Sequence, residues 1–93
     1  MRLIDFNLST ADLDRQLPLY WESDKVCFPI QTLTFSSDQL VLTQAKTAKP
    51  MTLDQFSART RQVDGKTGLY MLTTNGVVPL FGYRLSAGQL LFG

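Results

Sequence analysis

All six glycines of this 93-residue chain fall in its last third, at Gly65, Gly68, Gly76, Gly82, Gly88 and Gly93. Short apolar runs at 69–72, 77–81 and 90–92 lie between them. No long helix survives such punctuation, because glycine and the turn-forming residues beside it break the pattern every few positions. The segment reads as a β-meander with glycines at its corners. Asn75-Gly76, set between two apolar runs, is a strong hairpin signal. A two-residue loop there would set Pro79 at a hydrogen-bonded position, where proline has no N–H to give. The expectation is therefore a four-residue loop pairing Thr73 with Val78 and turning Pro79 outward, or a bulge at Val78-Pro79.

Upstream, Ile4, Phe6 and Leu8 alternate with Asp5 and Asn7, which predicts a half-buried strand over residues 2–8. Ser9 to Asp14 offer capping hydroxyls and acids for a short helix near 10–17, ended by Pro18. Residues 19–22 and 26–35 flank a polar turn and predict a hairpin. Pro29 inside its second strand calls for an edge position or a bulge. A further strand is expected over 40–44. The clearest local signal is a helix over 53–62. Thr52 is its N-cap, Gln55 completes a capping box, and Leu53, Phe56, Thr60 and Val63 form one stripe. Val63-Asp64-Gly65 ends it. No internal repeat is apparent.

The predicted architecture is a single α+β domain over 1–93. A mostly antiparallel curled sheet of six or seven short strands packs on one main helix at 53–62, with the short helix near 10–17 beside it. The alternative is a small closed or nearly closed β-barrel. The expected core is Ile4, Phe6, Leu8, Trp21, Phe28, Leu33, Phe35, Leu40, Leu42, Phe56, Leu72, Leu80, Phe81 and Leu90.

Counting alone excludes much chemistry. The chain has no histidine and one cysteine, Cys27. That removes Ser-His-Asp and Cys-His catalysis, histidine-containing zinc sites, thiolate clusters and an internal disulfide. Cys27, within a predicted strand, is expected to be a small buried hydrophobe. Asp5, Asp12, Asp14, Glu22 and Asp24 read as turn and capping acids. Gly65-Lys66-Thr67-Gly68 contains Gly-Lys-Thr but lacks the upstream glycine of a phosphate loop and precedes a strand. No catalytic, metal or cofactor residues are assigned, and the sequence points away from an enzyme. With no apolar run of membrane-spanning length and no signal-like start, the expectation is a cytoplasmic domain that does not enter a membrane.

Two features concern partners. Both faces of the glycine-rich meander are apolar, so the second must be covered by the chain's own helix or barrel closure, by a ligand, or by another subunit. The leading expectation is a non-catalytic interaction module that self-associates, as a homodimer, through a candidate interface of Leu69, Tyr70, Met71, Val78, Leu80, Phe81 and Tyr83. A small-ligand binder with a pocket between sheet and helix is the second reading. The third is a weak nucleic-acid binder. Net charge is only +1, but residues 46–66 carry five basic side chains against two acidic ones. Lys46, Lys49, Arg59, Arg61 and Lys66 are thus candidate anion contacts. Arg59 and Arg61, two apart on a helix, cannot share a stripe, which argues against nucleic acid.

Overall fold

The computed structural model describes all 93 residues. In chain order they form α1 (Leu3–Ser9), β1 (Leu19–Ser23), β2 (Val26–Ser36), β3 (Gln39–Gln44), α2 (Leu53–Arg59), β4 (Gly68–Thr73), β5 (Gly76–Pro79), β6 (Tyr83–Ser86) and β7 (Gln89–Phe92). The strands make a curled sheet in the order β5-β4-β3-β2-β1-β7-β6. The hairpins are antiparallel, but β1 pairs with β7, and β3 with β4, in parallel. The sheet is therefore mixed rather than mostly antiparallel.

The parallel pairs come from an internal repeat, which corrects the reading that the chain has none. Shifting the sequence by fifty positions lays residues 1–43 on 51–93. Met1, Leu3, Phe6, Thr10, Asp14, Leu19, Tyr20, Pro29, Ser36, Gln39 and Leu40 then meet identical residues at Met51, Leu53, Phe56, Thr60, Asp64, Leu69, Tyr70, Pro79, Ser86, Gln89 and Leu90. The elements follow: α1 matches α2, β1 matches β4, and β3 matches β7. The long β2 matches β5 and β6 taken together. Its first part pairs with β1 and its second with β3, with a register irregularity between Ile30 and Thr32. In the second copy the same break is wider, so β5 pairs with β4 and β6 with β7. Pro29 and Pro79 stand at the equivalent switch points, where a missing N–H interrupts the ladder at no cost. Because β5 and β6 are also the two edges of the sheet, residues 80–82 join those edges covalently.

The copies hold each other through matching hydrogen bonds. Leu53 and Asp54 N–H donate to the carbonyls of Leu17 and Arg15, at 2.9 and 2.8 Å; Leu3 and Ile4 N–H donate to Thr67 and Gly65, at 2.8 and 2.9 Å. Leu19 N–H donates to Met51 and Leu69 N–H to Met1. Each helix thus satisfies its orphan N-terminal amides on the loop of the other copy. This explains two further corrections. Residues 10–17 are successive turns, not a helix, since their outward carbonyls serve α2. Residues 3–9 are a helix, not a strand: Leu3 and Phe6, three apart, are buried, while the alternating Ile4 and Leu8 are exposed. There are two equal seven-residue helices, where one main helix was expected. α2 starts as foreseen, with Gln55 N–H donating to Thr52 Oγ1 and Thr52 N–H to Gln55 Oε1. It stops three residues short, as Thr60 turns its hydroxyl back onto the Phe56 carbonyl.

The core is built on the repeat. Phe6 and Phe56 meet edge-to-face with centroids 5.1 Å apart. Leu3, Leu53, Leu19, Leu69, Leu40, Leu90, Ile30, Leu80, Leu42 and Phe92 surround them, all 2% exposed or less. Of the expected core, Phe6, Leu40, Leu42, Phe56, Leu80 and Leu90 are buried and Trp21 and Leu33 pack against it. Ile4, Leu8, Phe35, Leu72 and Phe81 are exposed. Cys27 is exposed as well, opposite Glu22 on the outer face.

The β4-β5 hairpin pairs Thr73 with Gly76 around a two-residue loop, Thr74-Asn75, and so differs from both registers expected. Thr73 Oγ1 accepts from Asn75 N–H and donates to the Gly76 carbonyl, and Gly76 sits at φ +100°. A turn followed by a left-handed glycine is the bulged hairpin closure. It moves the turn one residue toward the N-terminus and still leaves Pro79 facing outward.

Candidate functional site

Side chains alternate along each strand, so a single register fixes what lines the inside of the curl. Inward positions on β1 are Leu19, Trp21 and Ser23; on β4 they are Leu69, Met71 and Thr73. Leu19 and Leu69 lie at the helix end and are fully covered. At the other end, two residues beyond Trp21 and Met71, the interior opens into a pocket of about 610 Å³. Its walls are Trp21, Ser23 and Phe28 from one copy and Thr73, Thr74, Asn75 and Val78 from the other. Gln44, Ala45 and Lys46, where β3 leaves the sheet, complete it. Neither helix contributes, so the pocket lies at the strand ends and not between sheet and helix.

The repeat explains why there is space here. Trp21 and Phe28 correspond to Met71 and Val78. Two aromatic side chains on one side face two smaller ones on the other, and the difference in volume is left unfilled. The lining combines Trp21, Phe28, Ala45 and Val78 with polar side chains. Gln44 Oε1 is buried and accepts no hydrogen bond. Such an orphaned acceptor costs about 1–3 kcal/mol unless a donor reaches it. Sequence inspection missed this site because its residues are scattered from 21 to 78. The signal that could have found it was the fifty-residue offset.

A second, smaller cleft of about 350 Å³ lies by the helices, lined by Asn7, Thr10, Arg15, Ser57, Thr60, Arg61 and Val63. Arg15 Nη2 donates to Ser57 Oγ across the two copies.

The residues expected to form an interface are divided by the fold. Leu69, Met71 and Leu80 are core, at 1, 0 and 2% exposure. Val78 lines the pocket, and Tyr83 packs edge-on against Phe6 while its hydroxyl donates to Ser9 Oγ at 3.0 Å. Tyr70 faces outward, and Phe81 stands 86% exposed between β5 and β6. The anion candidates separate too. Lys46 is at the pocket rim, Arg61 in the helix cleft and Arg59 in a different groove beside Phe35 and Asp64. Lys49 and Lys66 are exposed and line none of these.

The ion pairs are both on the surface. Arg84 holds Glu22 at 2.6 Å and Arg2 holds Asp5 at 3.1 Å. Hydrogen bonding to Arg84 keeps the Glu22 carboxyl below the usual carboxylate range, and the Arg2 side chain and N–H do the same for Asp5. No helix is long and apolar enough to cross a membrane. No group of three or more His, Cys, Asp and Glu residues is placed to hold a metal ion. Comparison of the chain with family models, curated proteins and solved structures found no match.

Proposed function

We propose that this domain binds a small, partly apolar molecule in the pocket between Trp21 and Val78. One observation carries the reading: an otherwise filled interior opens at one end into about 610 Å³ lined by Trp21, Phe28, Ala45 and Val78 beside a few polar side chains. A concave apolar site with a few polar groups is the usual form of a small-ligand site, and the mouths of curled sheets are a usual place for one. The ligand chemistry this lining fits is a flat apolar body against Trp21 and Phe28, with polar groups toward Ser23, Thr73 and Asn75. An acidic group would sit near Lys46.

Trp21 is the only tryptophan, so its emission reports directly on the site. Titration with a panel of aromatic carboxylates should shift that emission and raise the melting temperature, and Val78→Phe should remove both effects. A panel that leaves Trp21 emission unchanged, or that acts equally on Val78→Phe, defeats the proposal.

A second reading is self-association through the outer face of β4 and β5. It is supported by Leu72 and Val77, each 45% exposed, where the equivalent outer positions of the first copy are Glu22 and Cys27. Light scattering of wild type and Leu72→Glu at high micromolar concentration tests it. A monomeric wild type excludes it.

A further inference from the structure

The cleft beside the helices has a chemistry unlike that of the strand-end pocket. It lies where the two copies face each other, so that Asn7 and Thr10 of one meet Ser57 and Thr60 of the other. Two arginines enter it, from positions the repeat does not match: Arg15 corresponds to Gly65 and Arg61 to Ala11. At Gly65 a Cβ would stand 3.1 Å from Ile4 Cβ, a tight contact that a copied side chain would have to relieve by displacing Ile4. Each copy thus supplies one guanidinium to a shared space.

Neither guanidinium is neutralised. The chain's two ion pairs use Arg2 and Arg84, and no carboxylate lines the cleft. Nor are these arginines needed to cap the helices, which end nearby. The Phe6 and Phe56 carbonyls already accept from the N–H and Oγ1 of Thr10 and Thr60. Those same bonds commit the two threonine hydroxyls. The Ser57 hydroxyl accepts from Arg15 and keeps its own proton to donate. What the cleft offers is therefore two fixed-fork cations, a hydroxyl donor and the Asn7 amide, with no competing acid.

We propose that this cleft binds a phosphate group. Two guanidiniums and two neutral donors match a dianion with three acceptor oxygens better than a carboxylate, which has one charge and two oxygens. The assignment is independent of the strand-end pocket, and the two fail separately.

The test is NMR titration of the intact, isotope-labelled chain with inorganic phosphate, at ionic strength held constant with sodium chloride. Saturable shifts are expected at the amides of Asn7, Arg15, Ser57 and Arg61. Arg61→Gln, an exposed change outside any element, should weaken binding about tenfold or more. Arg15→Gln should do the same, and Arg61→Gln keeps the test sound if loss of the Ser57 bond disturbs folding. Arg59→Gln, only two residues away but in another groove, should stay within about twofold, as should Val78→Phe. The proposal is overturned if the shifts do not saturate, if Arg59→Gln weakens binding as much as Arg61→Gln, or if acetate binds as tightly as phosphate.

Discussion

Tyr20, Glu22 and Cys27 on one outer face correspond to Tyr70, Leu72 and Val77 on the other. The first face is closed by an ion pair from Glu22 to Arg84; at the matching place the second has Leu72 and Thr34. Inside, the copies share a common centre, although Leu42 is matched by Phe92 and Trp21 by Met71. Leu3, Phe6, Thr10, Leu19 and Leu40 recur unchanged, and all are buried in both copies. Two demands act on one pattern. Close packing around a shared centre restricts what fits inside, where a change of even one methylene is felt. Outer and rim positions answer to solvent and partners, so there the halves are free to diverge. The strand-end pocket, the arginine cleft and the β4-β5 face are three places where they diverge in size or charge.

The largest test of this equivalence is at its centre. Phe6→Ala and Phe56→Ala should each cost about 3–5 kcal/mol in urea unfolding. Phe6→Ala should cost more, because Phe6 also touches Tyr83 and Phe92 at 5.5 Å. A costlier Phe56→Ala would break the comparison. Next, the pocket can be made symmetric. Met71→Trp with Val78→Phe copies the first half onto the second and should cost about 1–3 kcal/mol by overpacking, while abolishing the rise in melting temperature with ligand. Retained binding would place the site elsewhere.

The helix starts differ as well. Thr52→Ala should cost about 1 kcal/mol, since Thr52 Oγ1 accepts the Gln55 N–H, whereas Arg2 makes no such side-chain cap and Arg2→Ala should destabilise the fold less than Thr52→Ala does. Leu72→Glu with Thr34→Arg rebuilds the ion pair on the apolar face. It should add at most about 1 kcal/mol, and a double-mutant cycle reads the coupling. The smallest effect is acid dependence. The folded Glu22 carboxyl titrates below its unfolded value of about 4.3, so its contribution is present above that pH and fades as pH falls through the folded value. Melting curves of wild type and Glu22→Gln should differ slightly at pH 7 and converge as pH falls through the folded value. A gap that persists in acid would show that Glu22 acts through packing instead.

Features held by neighbours in sequence were legible before the structure. The capping box at Thr52 and Gln55, the presence of the hairpins and the irregularity after Pro29 each depend on a few adjacent residues, although the β4-β5 turn closes one residue earlier than its Asn-Gly pair suggests. The first helix was not legible, because Ile4, Phe6 and Leu8 alternate as a strand would, and only docking on residues 65–67 selects Leu3 and Phe6 instead. The repeat escaped because its identical residues come singly or in adjacent pairs, with unlike side chains between them. Neither cleft could be read from local pattern. Arg15 and Ser57 meet across 42 positions, and the pocket exists only as a mismatch between two halves.

The Met1 ammonium donates to the Leu80 carbonyl at 2.8 Å, the same bond that Met51 N–H makes to Ile30 at 2.9 Å. Gly93 likewise stands where Thr43 stands. Residues 44–50 carry the chain from the end of the first copy to the start of the second. By symmetry the same span separates Gly93 from Met1. A copy of 44–50 spliced after Gly93 would therefore close the backbone into a ring. Cutting that ring before Met51 instead of before Met1 should give a permuted chain that folds to the same sheet and core.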